Sequence, residues 1–210
     1  MARRAEIQAL GAFLFMACGP LPVHLADSAQ SLQSRDYERV FDQWTRETQA
    51  YNLDTLENAL TVSATYRSWE FRQAWVQRYA EDYRLSDEEV SALLDEQWSE
   101  HEAGHQFVVA TTATKTKWAD LAREDSPWIV ALINDRQQEM SPRSIERVED
   151  CAQMLTYYPF ISVFRSTFLI TFPRTLPDGA DILDPGIGSF SLLFSGALGK
   201  AELVWKVAKP

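Results

Sequence analysis

Two of the three histidines in this 210-residue chain stand in the sequence His101-Glu102-Ala103-Gly104-His105. On an α-helix, residues four apart lie one above the other, so both imidazoles would face a single Zn²⁺ and leave it positions open for water. Glu102 between them would then act as general base on the metal-bound water. This is the one constellation in the chain whose residue types and spacing spell catalysis. No phosphate-cradling glycine loop, G-x-S-x-G elbow or dinucleotide fingerprint accompanies it.

The arrangement resembles the zinc metalloprotease signature, which implies zinc as cofactor, His101 and His105 as ligands and Glu102 as catalytic base. The surrounding elements must decide. Ser86 followed by Glu89 is a capping box that opens a helix. Val90, Leu93, Leu94 and Trp98 form its inward stripe, and His101 and His105 extend that stripe. Glu124 or Asp125 stands at a separation suited to a third ligand. Against metal chemistry, Gly104 directly precedes His105, and the strand-type run Phe107, Val108, Val109 follows at once. The helix therefore ends around the second histidine, whereas metalloprotease helices run on past it. The residues before Glu124 also read as strand and loop, and no HxxGxxH extension follows. The expected reading is a pair of partly buried histidines at a helix end, with no metal and no assigned catalysis; the zinc metalloprotease is the alternative.

A second chemistry attaches to Cys18. Arg3 and Arg4 precede a mostly apolar run, residues 9–17, that matches a signal-peptide core and is too short to anchor in a bilayer. Residues 1–17 are thus expected to be a signal peptide. The run ends in Phe15-Met16-Ala17-Cys18, which resembles a bacterial lipoprotein cleavage box. That resemblance implies diacylglycerol on the Cys18 sulfur, a lipid anchor in the membrane and, with Gly19 and not aspartate next, the periplasmic face of the outer membrane. The other cysteine, Cys151, follows Glu149 and Asp150, which raise a thiol pKa, so it reads as a buried free thiol and not a nucleophile.

With 30 acidic against 20 basic side chains the net charge is −10, which repels nucleic acid. Residues 81–102 hold nine acidic side chains against Arg84 alone, an expected solvated face to which a basic envelope partner would be steered. Asp178, Asp181 and Asp184 miss the alternate-residue spacing of a calcium loop and read as a turn with solvated carboxylates. The seven tryptophans fall mostly at inward positions and are expected in the core.

Residues 18–35 carry Pro20, Pro22 and Ser, Gln and Ala without hydrophobic period, as in a flexible tether. Residues 36–210 are then expected to form one α+β domain. Tyr37, Val40, Phe41, Trp44 and Tyr51 predict a helix over 36–51, and alternation over 60–66 predicts the first strand. A helical pair follows it, with Phe71, Trp75, Tyr79 and Tyr83 along one face. Short strand-type runs then occupy 107–117, 128–134, 139–148, 163–172, 189–195 and 201–207. The expected architecture is an antiparallel β-sandwich, immunoglobulin-like, with an N-terminal helix and a helical pair inserted after the first strand.

The segment from Trp128 to Asp135, Phe172-Pro173-Arg174, Leu176-Pro177-Asp178-Gly179 and Gly196-Ala197-Leu198-Gly199-Lys200-Ala201-Glu202-Leu203-Val204-Trp205 resemble an uncharacterised family of Gram-negative bacterial lipoproteins. The resemblance covers the last hundred residues. It implies a lipid-anchored envelope protein of structural or binding type, through packing and turn residues that assign no active site.

Overall fold

Apolar alternation and a two-residue turn build the C-terminal hairpin. Phe190, Leu192 and Phe194 of strand Ser189–Gly196 and Ala201, Leu203 and Trp205 of strand Gly199–Lys206 are all buried, while their neighbours face outward. A side chain at Gly196 would meet the Pro127 carbonyl oxygen at 1.9 Å, and Gly199 takes a φ of +138°. The computed structural model describes residues 20–25, 27, 32–52, 54–149 and 152–208. Segment 1–17, Cys18 and Cys151 lie outside the described residues.

In chain order the elements are α1 (Tyr37–Trp44), β1 (Thr45–Tyr51), β2 (Asn58–Tyr66), α2 (Trp69–Tyr83), α3 (Asp87–Ala103), β3 (His105–Thr112), β4 (Ile129–Asn134), β5 (Glu139–Met140), β6 (Ser144–Arg147), α4 (Ala152–Tyr157), β7 (Ser166–Phe172), β8 (Ser189–Gly196) and β9 (Gly199–Lys206). Two sheets result, one ordered β1-β2-β3-β7-β6 and one β5-β4-β8-β9, and every strand pair in them is antiparallel. The chain is a mixed α+β protein with two antiparallel sheets. Rings from the two sheets meet between them, Tyr66 with Phe190 at 5.5 Å and Phe107 with Trp205 at 5.7 Å between centroids.

Three expectations about the N-terminal half are corrected. The helix expected over 36–51 stops at Trp44, and residues 45–51 form β1, which pairs with β2 from Thr45↔Thr65 onward. Arg46 takes an inward strand position because its guanidinium donates to the Val204 carbonyl at 3.0 Å and to the Gln43 and Thr45 carbonyls. Consequently the helical pair α2–α3 follows the second strand, not the first. The described part of the 18–35 segment is also docked on the domain, so the domain begins before residue 36. Val23 is fully buried, bridges Val207 in parallel, and exchanges backbone hydrogen bonds with Lys206 and Ala208.

The inward stripe of α3 is corrected as well. Its buried residues are Gln97 and His101, whereas Val90, Leu93, Leu94 and Trp98 are half-buried. Along α2 the aromatic stripe fades outward, with Phe71 buried, Trp75 and Tyr79 half-buried and Tyr83 exposed. None of the seven tryptophans is exposed, and Trp44 and Trp205 are fully buried.

Candidate functional site

The H-E-x-x-H segment spans two elements. Helix α3 ends at Ala103, Gly104 is its C-cap, and His105 is already the first residue of β3. The glycine is required by contact: a Cβ at Gly104 would lie 2.4 Å from the Phe172 carbonyl oxygen of the adjacent β7. His101 and His105 are therefore not stacked one turn apart on a helix. Both are buried, at 4% and 2% exposure. Glu102 is exposed, away from them.

Each imidazole is held by its own carboxylate. His101 Nε2 donates to Asp27 Oδ1 at 2.9 Å, and His105 Nε2 donates to Asp181 Oδ1 at 2.9 Å. Ionised carboxylates only accept, which places the proton on Nε2 in both rings. His105 Nδ1 is then free to accept from the Tyr66 hydroxyl at 2.9 Å. Arg174 joins the two halves. Its Nε reaches Asp181 Oδ2 at 2.9 Å, its Nη2 reaches Asp27 Oδ2 at 3.3 Å, and its Nη1 donates to the His101 carbonyl at 3.0 Å. The result is one chain of contacts, His101–Asp27–Arg174–Asp181–His105–Tyr66, charge-assisted as far as His105 and ending on the neutral Tyr66 hydroxyl. It ties the N-terminal segment, the end of β2, the α3–β3 junction and the loop after β7 together.

Burial pushes the carboxyl groups of Asp27 and Asp181 up, but their histidine partners and Arg174 outweigh it and hold both below the ordinary aspartate value. Burial lowers the His105 imidazole more than Asp181 raises it, so the neutral ring is favoured. Burial also raises the Tyr66 hydroxyl. A hydroxyl, an imidazole and a carboxylate in series have the order of an acid–base relay, yet Tyr66 is only 2% exposed and offers no substrate-facing oxygen.

Both Nε2 atoms are engaged by aspartates, and among the described residues no three His, Cys, Asp or Glu side chains converge to hold a metal. Glu124 is exposed, and Asp125 is exposed and paired with Arg123 at 2.7 Å. The turn expected to carry solvated carboxylates is corrected at one position. Asp178, Asp181 and Asp184 each accept from the backbone amide two residues on, as turn residues do, but Asp181 is also drawn into the histidine cluster.

A second polar cluster lies beneath α3. Arg72 is 1% exposed and donates to Gln97 Oε1 and Glu100 Oε2 at 2.8 Å and to Gln106 Oε1 at 2.7 Å. Arg67 shares the same three acceptor residues. Burial, helped by the neighbouring Arg67 charge, lowers the Arg72 guanidinium to about 10, which leaves it charged at neutral pH. Helix α3 is thus seated on hydrogen bonds at Gln97, Glu100 and His101.

Acid should loosen this seat in two stages. The folded state disfavours protonation of His105, so its contribution is complete above the unfolded histidine pKa of about 6.5 and is lost as pH falls through the lower folded value. Asp27, Asp181 and Glu100 are also lowered, and their contributions are lost only below about pH 4. The thermal midpoint of the wild type should be flat above pH 7 and decline as pH falls below about 6.5, and His105→Gln should remove the decline that sets in there. A wild-type midpoint unchanged from pH 7.5 to 5 would contradict this.

Compared with known proteins, the chain matches no family model, no curated protein and no solved structure.

Proposed function

We propose that this chain is a lipid-anchored protein of the bacterial cell envelope, at the periplasmic face of the outer membrane, with a structural or binding role. The observation that carries the proposal is Cys18, placed directly after Phe15-Met16-Ala17 at the end of the apolar run. A binding or structural role is supported by what the catalytic-looking residues do: His105 spends both ring nitrogens, and His101 its Nε2, on contacts inside the fold. We further read the two sheets as an immunoglobulin-like sandwich, on the strength of the aromatic contacts between their inner faces. The proposed partner, besides the membrane, is an envelope protein. Eight of the nine acidic residues between 81 and 102 are exposed, which favours a basic partner and disfavours nucleic acid.

Metabolic palmitate labelling should mark the wild type and disappear in Cys18→Ala. Absent labelling, or labelling that survives the substitution, would overturn the anchor. The zinc metalloprotease would replace the binding role if elemental analysis found one zinc per chain that is lost in His101→Ala and His105→Ala, with peptide hydrolysis lost in Glu102→Gln.

A further inference from the structure

Among the described residues, helices α1 and α3 pack against strands of the five-stranded sheet, and no helix packs to a comparable extent on the four-stranded sheet. Val108 of β3 and Leu169 of β7 line a 250 Å³ apolar cavity together with Trp75 of α2 and Tyr157 of α4. The outer face of the four-stranded sheet carries Ile129 at 68% and Val204 at 42% exposure, with Leu193 and Ile133 half-buried between them and Lys200, Glu202 and Lys206 along β9. Leu21, 72% exposed, lies beside this face, because Arg46 donates to the carbonyls of both Leu21 and Val204.

We propose that this face rests on the phospholipid surface to which Cys18 is anchored; the inference rests on the lipid-anchor reading above. Five Cα steps separate Cys18 from Val23, a reach of at most about 18 Å, less than half the roughly 40 Å width of a domain this size. Val23 is fixed by backbone hydrogen bonds to Lys206 and Ala208, so the attachment point cannot travel around the domain. The bridge between Val23 and Val207 is parallel, which means that the chain before Val23 runs back along the flank of β9 and not beyond its end. The anchor therefore emerges beside the four-stranded sheet. Charge agrees with this disposition. On the sheet face Lys200 is paired with Glu202 at 2.8 Å and Lys206 is left to meet an anionic bilayer, while Asp87, Glu88, Asp95 and Glu96 on exposed positions of α3 are repelled from it and turn toward the periplasm.

The test uses the lipidated full chain in a Cys151→Ser background, incorporated in vesicles of phosphatidylethanolamine and phosphatidylglycerol that carry a nitroxide lipid. Single cysteines replace Val204, Ile129 or Glu88, all exposed, and each is labelled with a fluorophore. Quenching should be at least about threefold stronger at Val204 and Ile129 than at Glu88, as for a surface resting at headgroup depth. Equal quenching at the three positions, or stronger quenching at Glu88, would overturn the proposal. Protection of the Val204 label in envelope extract but not on pure lipid would assign the face to a protein partner, and that too would overturn it. Palmitate labelling of the same sample separates the two failures: quenching without the expected pattern in acylated protein sinks the orientation alone, whereas protein without acyl label sinks the anchor and the orientation together.

Discussion

Arg72→Met should destabilise the protein by about 4 kcal/mol and lower its thermal midpoint by about 12 °C. Methionine replaces the stem of the arginine side chain, so the loss is not one of packing. What disappears is the cation that satisfies Gln97, Glu100 and Gln106 at once in a site 1% exposed. The glutamate left behind has only Arg67, at 3.2 Å, to offset its partial burial. That residual charge makes a coupling test possible: adding Glu100→Gln to Arg72→Met should recover part of the loss, because the second change removes the charge the first one stranded. Two substitutions that add with no recovery would show that Arg72 and Glu100 are not energetically joined.

Arg174→Ala should cost about 3 kcal/mol, less than Arg72→Met because the aspartates it joins are a quarter to a third exposed and partly screened by solvent. The substitution leaves Asp27 and Asp181 with one histidine each and no cation between them. It also frees the carbonyl of His101 at the end of α3. The loss should be local before it is global. Amide exchange of Val23 and Ala208, whose hydrogen bonds hold the N-terminal segment to β9, should accelerate more than exchange in the β8–β9 hairpin. Equal acceleration everywhere would mean that Arg174 supports the whole domain and not the attachment of this segment.

The C-terminal half was legible because its signals are local. Alternation at Phe190, Leu192 and Phe194, a short turn with Gly196 and Gly199, and alternation again at Leu203 and Trp205 specify a hairpin without knowledge of its neighbours. Strand β1 was not legible: Thr45–Tyr51 alternates with Arg46 and Ala50 inward, and an inward arginine has meaning only beside the Val204 carbonyl that it meets across the fold. The candidate site divides the same way. His101 and His105 stood out through their spacing, and the glycine between them marked the end of the helix. Their partners Asp27 and Asp181 are 74 and 76 residues away, and no local pattern distinguishes an aspartate that a turn leaves in water from one that a histidine receives. Arg174 and Tyr66 were invisible as site residues for the same reason. The polar seat of α3 has no local signature, because the half-buried Leu93, Leu94 and Trp98 imitate an ordinary apolar stripe.

The bridge between Val23 and Val207 also sets an order of events in time. Synthesis proceeds from the N-terminus, so Val23 leaves the ribosome when β9 does not yet exist. Its strand partner Val207 is nearly the whole chain away, and closing so long a loop is slow compared with forming the hairpins and helices in between. The start of the domain therefore waits, undocked, until the last strand arrives. For a chain acylated at Cys18, that delay is the interval in which the modifying enzymes reach the cysteine before the fold draws the adjoining residues onto β9. A chain truncated before Lys206 would never end the interval, and its Val23 segment would be left with nothing to pair against.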